Sequence, residues 1–81
     1  MIDEDLLVEA VRELQATGQE ANAYNVRTQL GTIAAGGRYF DTMVVASDLA
    51  ELESFGKLVR AHAVDLSMEF PLTRMAYILP R

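Results

Sequence analysis

Apolar residues recur with a helical period in the first part of the chain. In DEDLLVEAVRELQATG (residues 3–18) they are spaced i, i+1, i+4, i+5 and i+8, and they are Leu6, Leu7, Ala10, Val11 and Leu14. This spacing places them on one face of an amphipathic helix. Three acids in the first turn favour the positive end of the helix dipole, and Gly18 can adopt the left-handed conformation that ends a helix. We predict helix 1 here.

A second, shorter helix is predicted after Gly18. Asn22 is a candidate N-cap, and Ala23, Val26 and Leu30 form an apolar stripe, which Gly31 would end. The following segment TIAAGGRYF (residues 32–40) is rich in small residues. It favours a loop with room for one helical turn.

The third helix is predicted from Asp41, a candidate N-cap, to a stop at Gly56. Its apolar stripe consists of Val45, Leu49, Leu52 and Phe55. The opposite face carries Met43, Ser47, Ala50 and Ser54 and is small and uncharged.

Two segments near the C-terminus are typical of β-strands. KLVRAHAV (57–64) and MAYILP (75–80) are rich in β-branched and aliphatic residues, and DLSMEFPLTR (65–74) joins them. Pro71 cannot donate to a strand ladder, which suits a connecting loop. The pattern predicts one α+β domain over residues 1–81. It has three helices followed by a C-terminal β-hairpin, with a short third strand before helix 3 as an option.

Composition narrows the class of protein. With 81 residues, the chain can close one small hydrophobic core, and its 51% apolar content favours a folded domain. The absence of cysteine excludes disulfides, thiolate metal sites and a cysteine nucleophile. No apolar run approaches the roughly 18 residues of a membrane span, and the N-terminal segment is acidic where a signal peptide would be basic. We expect a soluble, cytoplasmic protein.

The net charge of −5 is unevenly distributed. Residues 1–22 carry −5, residues 23–56 carry −2 and residues 57–81 carry +2. Because lysine and arginine supply most non-specific affinity for DNA, the overall balance disfavours strong DNA binding. The C-terminal part leaves room for it.

The cadence L–x–x–L–E–x–x–G–x–L–V–R, from Leu49 to Arg60, joins a helix that ends at glycine to an aliphatic strand. With the predicted order of elements, it resembles the winged helix-turn-helix family over nearly the whole chain. The segment VRTQLGTIAAGG (26–37) is similar to the N-terminal DNA-binding region of plasmid KfrA-type proteins.

The resemblance implies DNA contacts at the start of helix 2, at helix 3 and on the wing strands. The residues concerned are Tyr24, Asn25 and Thr28 near phosphate, Arg38, Tyr39, Thr42, Met43 and Ser47 at the groove, and Arg60, His62 and Arg74 on the wing. Two features depart from the family pattern. The nine residues 32–40 exceed the usual turn between the two motif helices. The wing loop offers Met68, Phe70 and Leu72, not lysine or arginine.

Those three apolar loop residues are candidates for a protein contact, either with a second copy of the chain or with another protein. His62 lacks companion ligands, so no metal site is predicted. GTIAAGGR lacks the lysine and Ser/Thr of a phosphate-binding loop, and no cluster combines a nucleophile, a base and an oxyanion donor. We expect neither an enzyme nor a cofactor.

The leading functional hypothesis is a small DNA-binding transcriptional regulator that acts by occupying a site on double-stranded DNA, as a homodimer. The alternative is an acidic winged-helix module that binds a protein and not DNA, for example a phage or plasmid accessory protein that binds a host protein. The charges near helix 3 separate the two. Arginines converging on it favour DNA, and acids of helix 1 reaching it favour a protein.

Overall fold

A computed structural model of the chain describes residues 2–33, 40–61 and 74–80. These contain three helices, α1 (Glu4–Ala16), α2 (Ala23–Ile33) and α3 (Thr42–Ser54). Two short strands, β1 (Val59–Arg60) and β2 (Tyr77–Ile78), follow and pair antiparallel. The predicted α+β class, with helices before an antiparallel strand pair, is confirmed at this level.

The ends of α1 follow from local chemistry. The Asp3 carboxylate accepts a hydrogen bond from the Asp5 backbone N–H at 2.8 Å, which caps the first turn. At the other end, Gly18 has φ +77°, the left-handed conformation predicted for it. Because glycine has no Cβ, it adopts this conformation without the steric cost that other residues meet.

Helix α2 begins as predicted and ends later than predicted. The Asn22 side chain accepts a hydrogen bond from the Asn25 backbone N–H at 2.9 Å, as an N-cap does. The predicted end at Gly31 is wrong, because the helix continues to Ile33. Glycine inside a helix costs only about 1 kcal/mol. Leu30, which is fully buried, holds the neighbouring turn against the core and offsets that cost.

Gly31 and Gly56, which are both exposed, give opposite expectations for replacement by alanine. A Cβ at either position meets no atom within 4 Å, so the backbone conformation decides the outcome. Gly31 is helical, and Gly31→Ala should raise the free energy of unfolding by about 0.5–1 kcal/mol. Gly56 has φ +77°, and Gly56→Ala should lower it by about 1–2 kcal/mol. Urea unfolding of both variants tests this, and equal shifts would contradict it.

Helix α3 has the predicted cap and stop but a narrower buried face. The Asp41 carboxylate accepts hydrogen bonds from the Met43 and Val44 backbone N–H groups, and Gly56 ends the helix. Phe55, which the sequence placed in the apolar stripe, is 64% exposed. Two successive i+3 steps, from Leu49 to Phe55, turn the side chain by about 120° around a helix of 3.6 residues per turn. Phe55 therefore leaves the buried face.

The strand pair is shorter than predicted within the described residues. Its register pairs Val59 with Ile78 and Arg60 with Tyr77. In the first predicted strand, positions 57, 58 and 61 are not in a strand, and 62–64 lie outside the described residues. In the second, the same holds for positions 75, 76, 79 and 80, which are described but not in a strand. An isolated bridge joins Ala21 to Tyr77, so the segment that adds to the strand pair is the one before α2. The optional strand before helix 3 has no counterpart at residues 40 and 41. Phe40 packs against the core there instead.

The core lies between the three helices and β2. Tyr77 is its largest fully buried side chain, and its hydroxyl donates to the Met75 sulfur at 3.2 Å. The other buried apolar residues include the stripes predicted for each helix, namely Leu7, Ala10, Val11, Leu14, Ala23, Val26, Leu30, Val45, Leu49 and Leu52. None of the helices in the described residues has the length and apolarity needed to cross a bilayer.

Candidate functional site

Helices α2 and α3 are joined by a hydrogen bond, and the first half of each helix carries exposed side chains. The Arg27 guanidinium (Nη1) donates to the Thr42 hydroxyl at 3.1 Å, which ties the middle of α2 to the first residue of α3. Tyr24 and Thr28 lie one turn apart on the exposed side of α2. On α3, Met43 and Ser47 have the same spacing and are also exposed.

We call Tyr24, Thr28, Met43 and Ser47 the α2–α3 face. Its two large side chains are about half exposed: Tyr24 by 50% and Met43 by 51%. None of the four residues is charged, and Met43 and Ser47 belong to the uncharged side predicted for helix 3. The face therefore offers apolar groups and hydroxyls to a partner, beside the Arg27 guanidinium that joins the two helices.

Several residues predicted to contact DNA make internal hydrogen bonds. The Asn25 side-chain amide donates to the Glu20 carbonyl oxygen at 2.8 Å, which ties down the segment before α2. The Thr28 hydroxyl donates to the Tyr24 carbonyl one turn earlier at 3.1 Å. The Thr42 hydroxyl accepts a hydrogen bond from Arg27, which leaves its own hydrogen to be donated. The first two contacts are local supports for α2, and each uses a hydrogen that could otherwise be donated to phosphate.

Two basic residues that follow α3 are paired with acids. Arg60 Nε lies 2.7 Å from the Glu53 carboxylate of α3, and Lys57 Nζ lies 2.9 Å from Glu4 of α1. Both pairs are partly exposed and contribute little to stability. They nevertheless cancel positive charge that DNA phosphates would otherwise meet. Arg74 is exposed, and its predicted role on the wing stays a prediction.

The acidic start of α1 reaches the second half of α3. The Ile2 backbone N–H donates to the Asp48 carboxylate at 2.9 Å, across 46 positions of sequence. Together with the Glu4–Lys57 pair, this contact holds the N-terminal segment beside α3. Glu4 lines a cleft with Asp48 and Phe55, which Met43 and Ser47 do not line, so the acids of α1 approach a different side of α3 and both alternatives stay predictions.

Tyr77 lies under the paired charges of Arg60 and Glu53. Burial raises the pKa of its phenol above the ordinary value of about 10, the nearby Glu53 carboxylate raises the pKa further, and Arg60 lowers it. The cause is the loss of hydration by the charged phenolate. Tyr77 is thus a neutral core residue and does not act as an acid or base at neutral pH.

This raised pKa predicts a loss of stability at alkaline pH. An unfolded tyrosine ionises near pH 10 while the folded Tyr77 stays protonated, so its contribution is complete below about pH 10 and is lost as pH rises through the folded pKa. Tyr77→Phe should lose less free energy of unfolding between about pH 9 and about pH 11 than the wild type does. Tyr24→Phe removes an exposed hydroxyl and should keep the wild-type loss. If the free energy of unfolding falls equally with rising pH in all three proteins, the prediction is wrong.

Six predicted site residues lie outside the described residues. They are Arg38, Tyr39 and His62 among the DNA contacts, and Met68, Phe70 and Leu72 among the protein contacts. Within the part of the chain that is described, no three His, Asp or Glu side chains are grouped so that they could hold a metal ion.

The sequence did not single out Val44 or Phe55 as surface residues. Val44 lies in a helix that also supplies four core residues and Phe55 directly follows it, so hydrophobicity alone points both side chains inward. The sequence did contain a signal of position around the helix, since a helical wheel places Val44, Asp48 and Phe55 on one side.

Comparison of the chain with models of known protein families, with curated proteins and with solved structures gives no match in any of the three.

Proposed function

We propose that this chain is a cytoplasmic domain of winged-helix type that binds another protein through the α2–α3 face. The order of three helices followed by an antiparallel strand pair is the order on which the winged-helix resemblance rests. The single observation that carries the proposal is the exposure of Tyr24 and Met43 among uncharged side chains. Aromatic residues and methionine are enriched where proteins meet.

The charges around α3 support a protein partner over DNA. Arg60 and Lys57 are each bound to a carboxylate, and the chain carries a net charge of −5. Affinity for DNA grows with the number of phosphates neutralised by lysine and arginine. A face of uncharged side chains with Arg27 beside it, on an acidic domain, lacks most of that contribution. Binding to a protein surface does not require lysine or arginine to neutralise phosphates.

DNA binding is the second candidate, and the exposed first turn of α3 favours it. Met43 and Ser47 are accessible there, and small or hydroxyl-bearing side chains can approach base edges closely. In that version Arg60 and Arg74 hold the phosphate backbone. The chain would then be a regulator that occupies its site as a homodimer.

A mobility-shift titration on mixed-sequence duplex DNA across a salt series separates the candidates. We expect no shift at micromolar protein in low salt. A shift that weakens steeply with salt and is lost in Arg60→Ala would overturn the protein-binding proposal, because it would show phosphate contacts by this domain. Glu9→Ala, at a paired acid of α1, is the control for surface charge.

Capture from an extract of the source cell tests the positive side of the proposal. Wild-type protein immobilised through its C-terminus should retain a protein that Met43→Asp does not retain. Val59→Asp changes a side chain of similar exposure, 44%, on β1 and serves as the matched control. Equal retention by all three proteins would rule out the α2–α3 face as the binding surface.

A further inference from the structure

A second surface lies between the start of α1 and the second half of α3. It is a cleft of about 100 Å³. Its apolar lining is Ile2, Leu7, Leu52 and Phe55. The Ile2–Asp48 hydrogen bond fixes one wall of this cleft, and the last turn of α3 forms the other. Phe55 is 64% exposed, so the cleft has an aromatic edge that no described residue covers.

Among the described residues, the charged side chains that line the cleft are acidic, and they are Glu4, Asp48 and Glu51. Lys57 lies beside this rim and pairs with Glu4, but both side chains are about half exposed, so a competing cation can replace that contact. The Glu51 carboxylate makes no hydrogen bond or ion pair with any described residue. The apolar floor thus lies next to one carboxylate, Glu51, that no described residue engages, and a second, Glu4, whose partner can be exchanged.

We infer that this cleft binds a basic amphipathic segment of another protein, which inserts one aliphatic side chain between Leu7 and Phe55. Lysine or arginine residues that flank the inserted side chain pair with Glu51 and Glu4. The volume of about 100 Å³ is smaller than the roughly 150 Å³ of a cavity known to hold benzene, which favours a small aliphatic group over an aromatic ring. Charge complementarity selects the occupant, because opposite charge at the rim of an interface steers association and rejects acidic partners.

A second copy of the chain fits the cleft poorly. Each copy carries −5, and the residues 1–22 that border the cleft carry all of that net charge. Two such surfaces repel each other at low salt. The inference is independent of the α2–α3 face, because Met43 and Tyr24 do not line the cleft.

Fluorescence anisotropy with three labelled peptides tests the site. The first is an amphipathic helix of leucine, lysine and alanine. The second has glutamate for every lysine, and the third has alanine for every leucine. The first peptide should bind, and each of the others should bind at least about tenfold more weakly. Raising the salt from about 0.05 M to about 0.5 M should weaken the first peptide, because screening reduces attraction at an exposed rim.

Variants of the protein locate the binding. Glu51→Lys and Phe55→Ala should each weaken the first peptide by at least about fivefold, and neither removes a buried group, so circular dichroism should remain that of the wild type. Glu9→Lys makes the same charge change on α1 about 200° around the helix from Leu7, and should stay within about twofold.

Several outcomes would overturn the inference. The first is equal binding of the leucine and alanine peptides, which would mean charge attraction alone. The second is no effect of Glu51→Lys or Phe55→Ala. The third is dimerisation in sedimentation equilibrium that Phe55→Ala abolishes, since a second copy would then fill the cleft. Loss of peptide binding in Met43→Asp but not in Glu51→Lys would also reject this site, and would leave the proposed function standing.

Discussion

Replacing Tyr77 with alanine is expected to remove a large fraction of the free energy of unfolding. The side chain is 2% exposed at the centre of the core, and its backbone N–H donates to the Ala21 carbonyl at 3.2 Å. Truncating a large buried aromatic residue costs about 3–5 kcal/mol. At about 0.05–0.15 kcal/mol per residue, 81 residues give a free energy of unfolding of about 4–12 kcal/mol. The loss is therefore a large fraction of the total.

The neighbouring residue Ile78 provides the control for Tyr77→Ala. Ile78 belongs to the same strand but is 37% exposed. Ile78→Ala should cost less than about 1 kcal/mol, since surface changes have small effects. Thermal unfolding followed by circular dichroism compares the two variants. Similar midpoints for both would mean that Tyr77 does not organise the core as described.

Replacing Met43 with aspartate is expected to reduce affinity for the captured partner about a hundredfold. In a protein interface the new carboxylate would be buried without a counter-charge, and an unpaired buried charge costs about 2–5 kcal/mol. About 2.8 kcal/mol corresponds to a hundredfold change in the dissociation constant. Because Met43 is half exposed in the free domain, its replacement should leave the fold intact.

Titration calorimetry with the purified partner measures the effect of Met43→Asp. Ser54→Asp places the same charge on α3 about three turns away and should change the affinity by less than about threefold, as for a residue at the rim. If Ser54→Asp and Met43→Asp weaken binding equally, the effect is general repulsion by an acidic helix. The α2–α3 face would then not be the contact surface.

The ends of the helices could be predicted from the sequence because their causes are local. Asp41 and Asn22 bond to backbone groups two or three positions away, and Gly18 and Gly56 adopt their conformations without distant partners. Gly31 shows the limit of such reasoning. Whether the helix continues past Gly31 depends on Leu30, whose burial is set by packing against the rest of the core.

The pairings between distant segments could not be predicted in the same way. The bridge from Tyr77 reaches Ala21, and the segment beside Phe40 packs without such a bridge among the described residues. Both segments are apolar enough to lie beside a strand. Only the way the three helices pack decides which of them does so.

The uncharged face of helix 3 could be predicted from the sequence, but the ion pairs of Arg60 and Lys57 could not. Seven positions separate Glu53 from Arg60, and 53 separate Glu4 from Lys57. Neither interval has the i, i+3 or i, i+4 spacing by which helical ion pairs are recognised. Glu9 and Arg12 of α1 do have that spacing, and they form an ion pair.

The bridge between Ala21 and Tyr77 has a consequence for the time order of synthesis. A ribosome makes the chain from its N-terminus, so α1, the following turn and α2 exist well before residue 77 is added. The Ala21 carbonyl and the Gln15 side chain, which accepts from the Leu79 backbone N–H, must await that late segment. The nascent domain can bring its helices together early, but it completes the core only when β2 arrives.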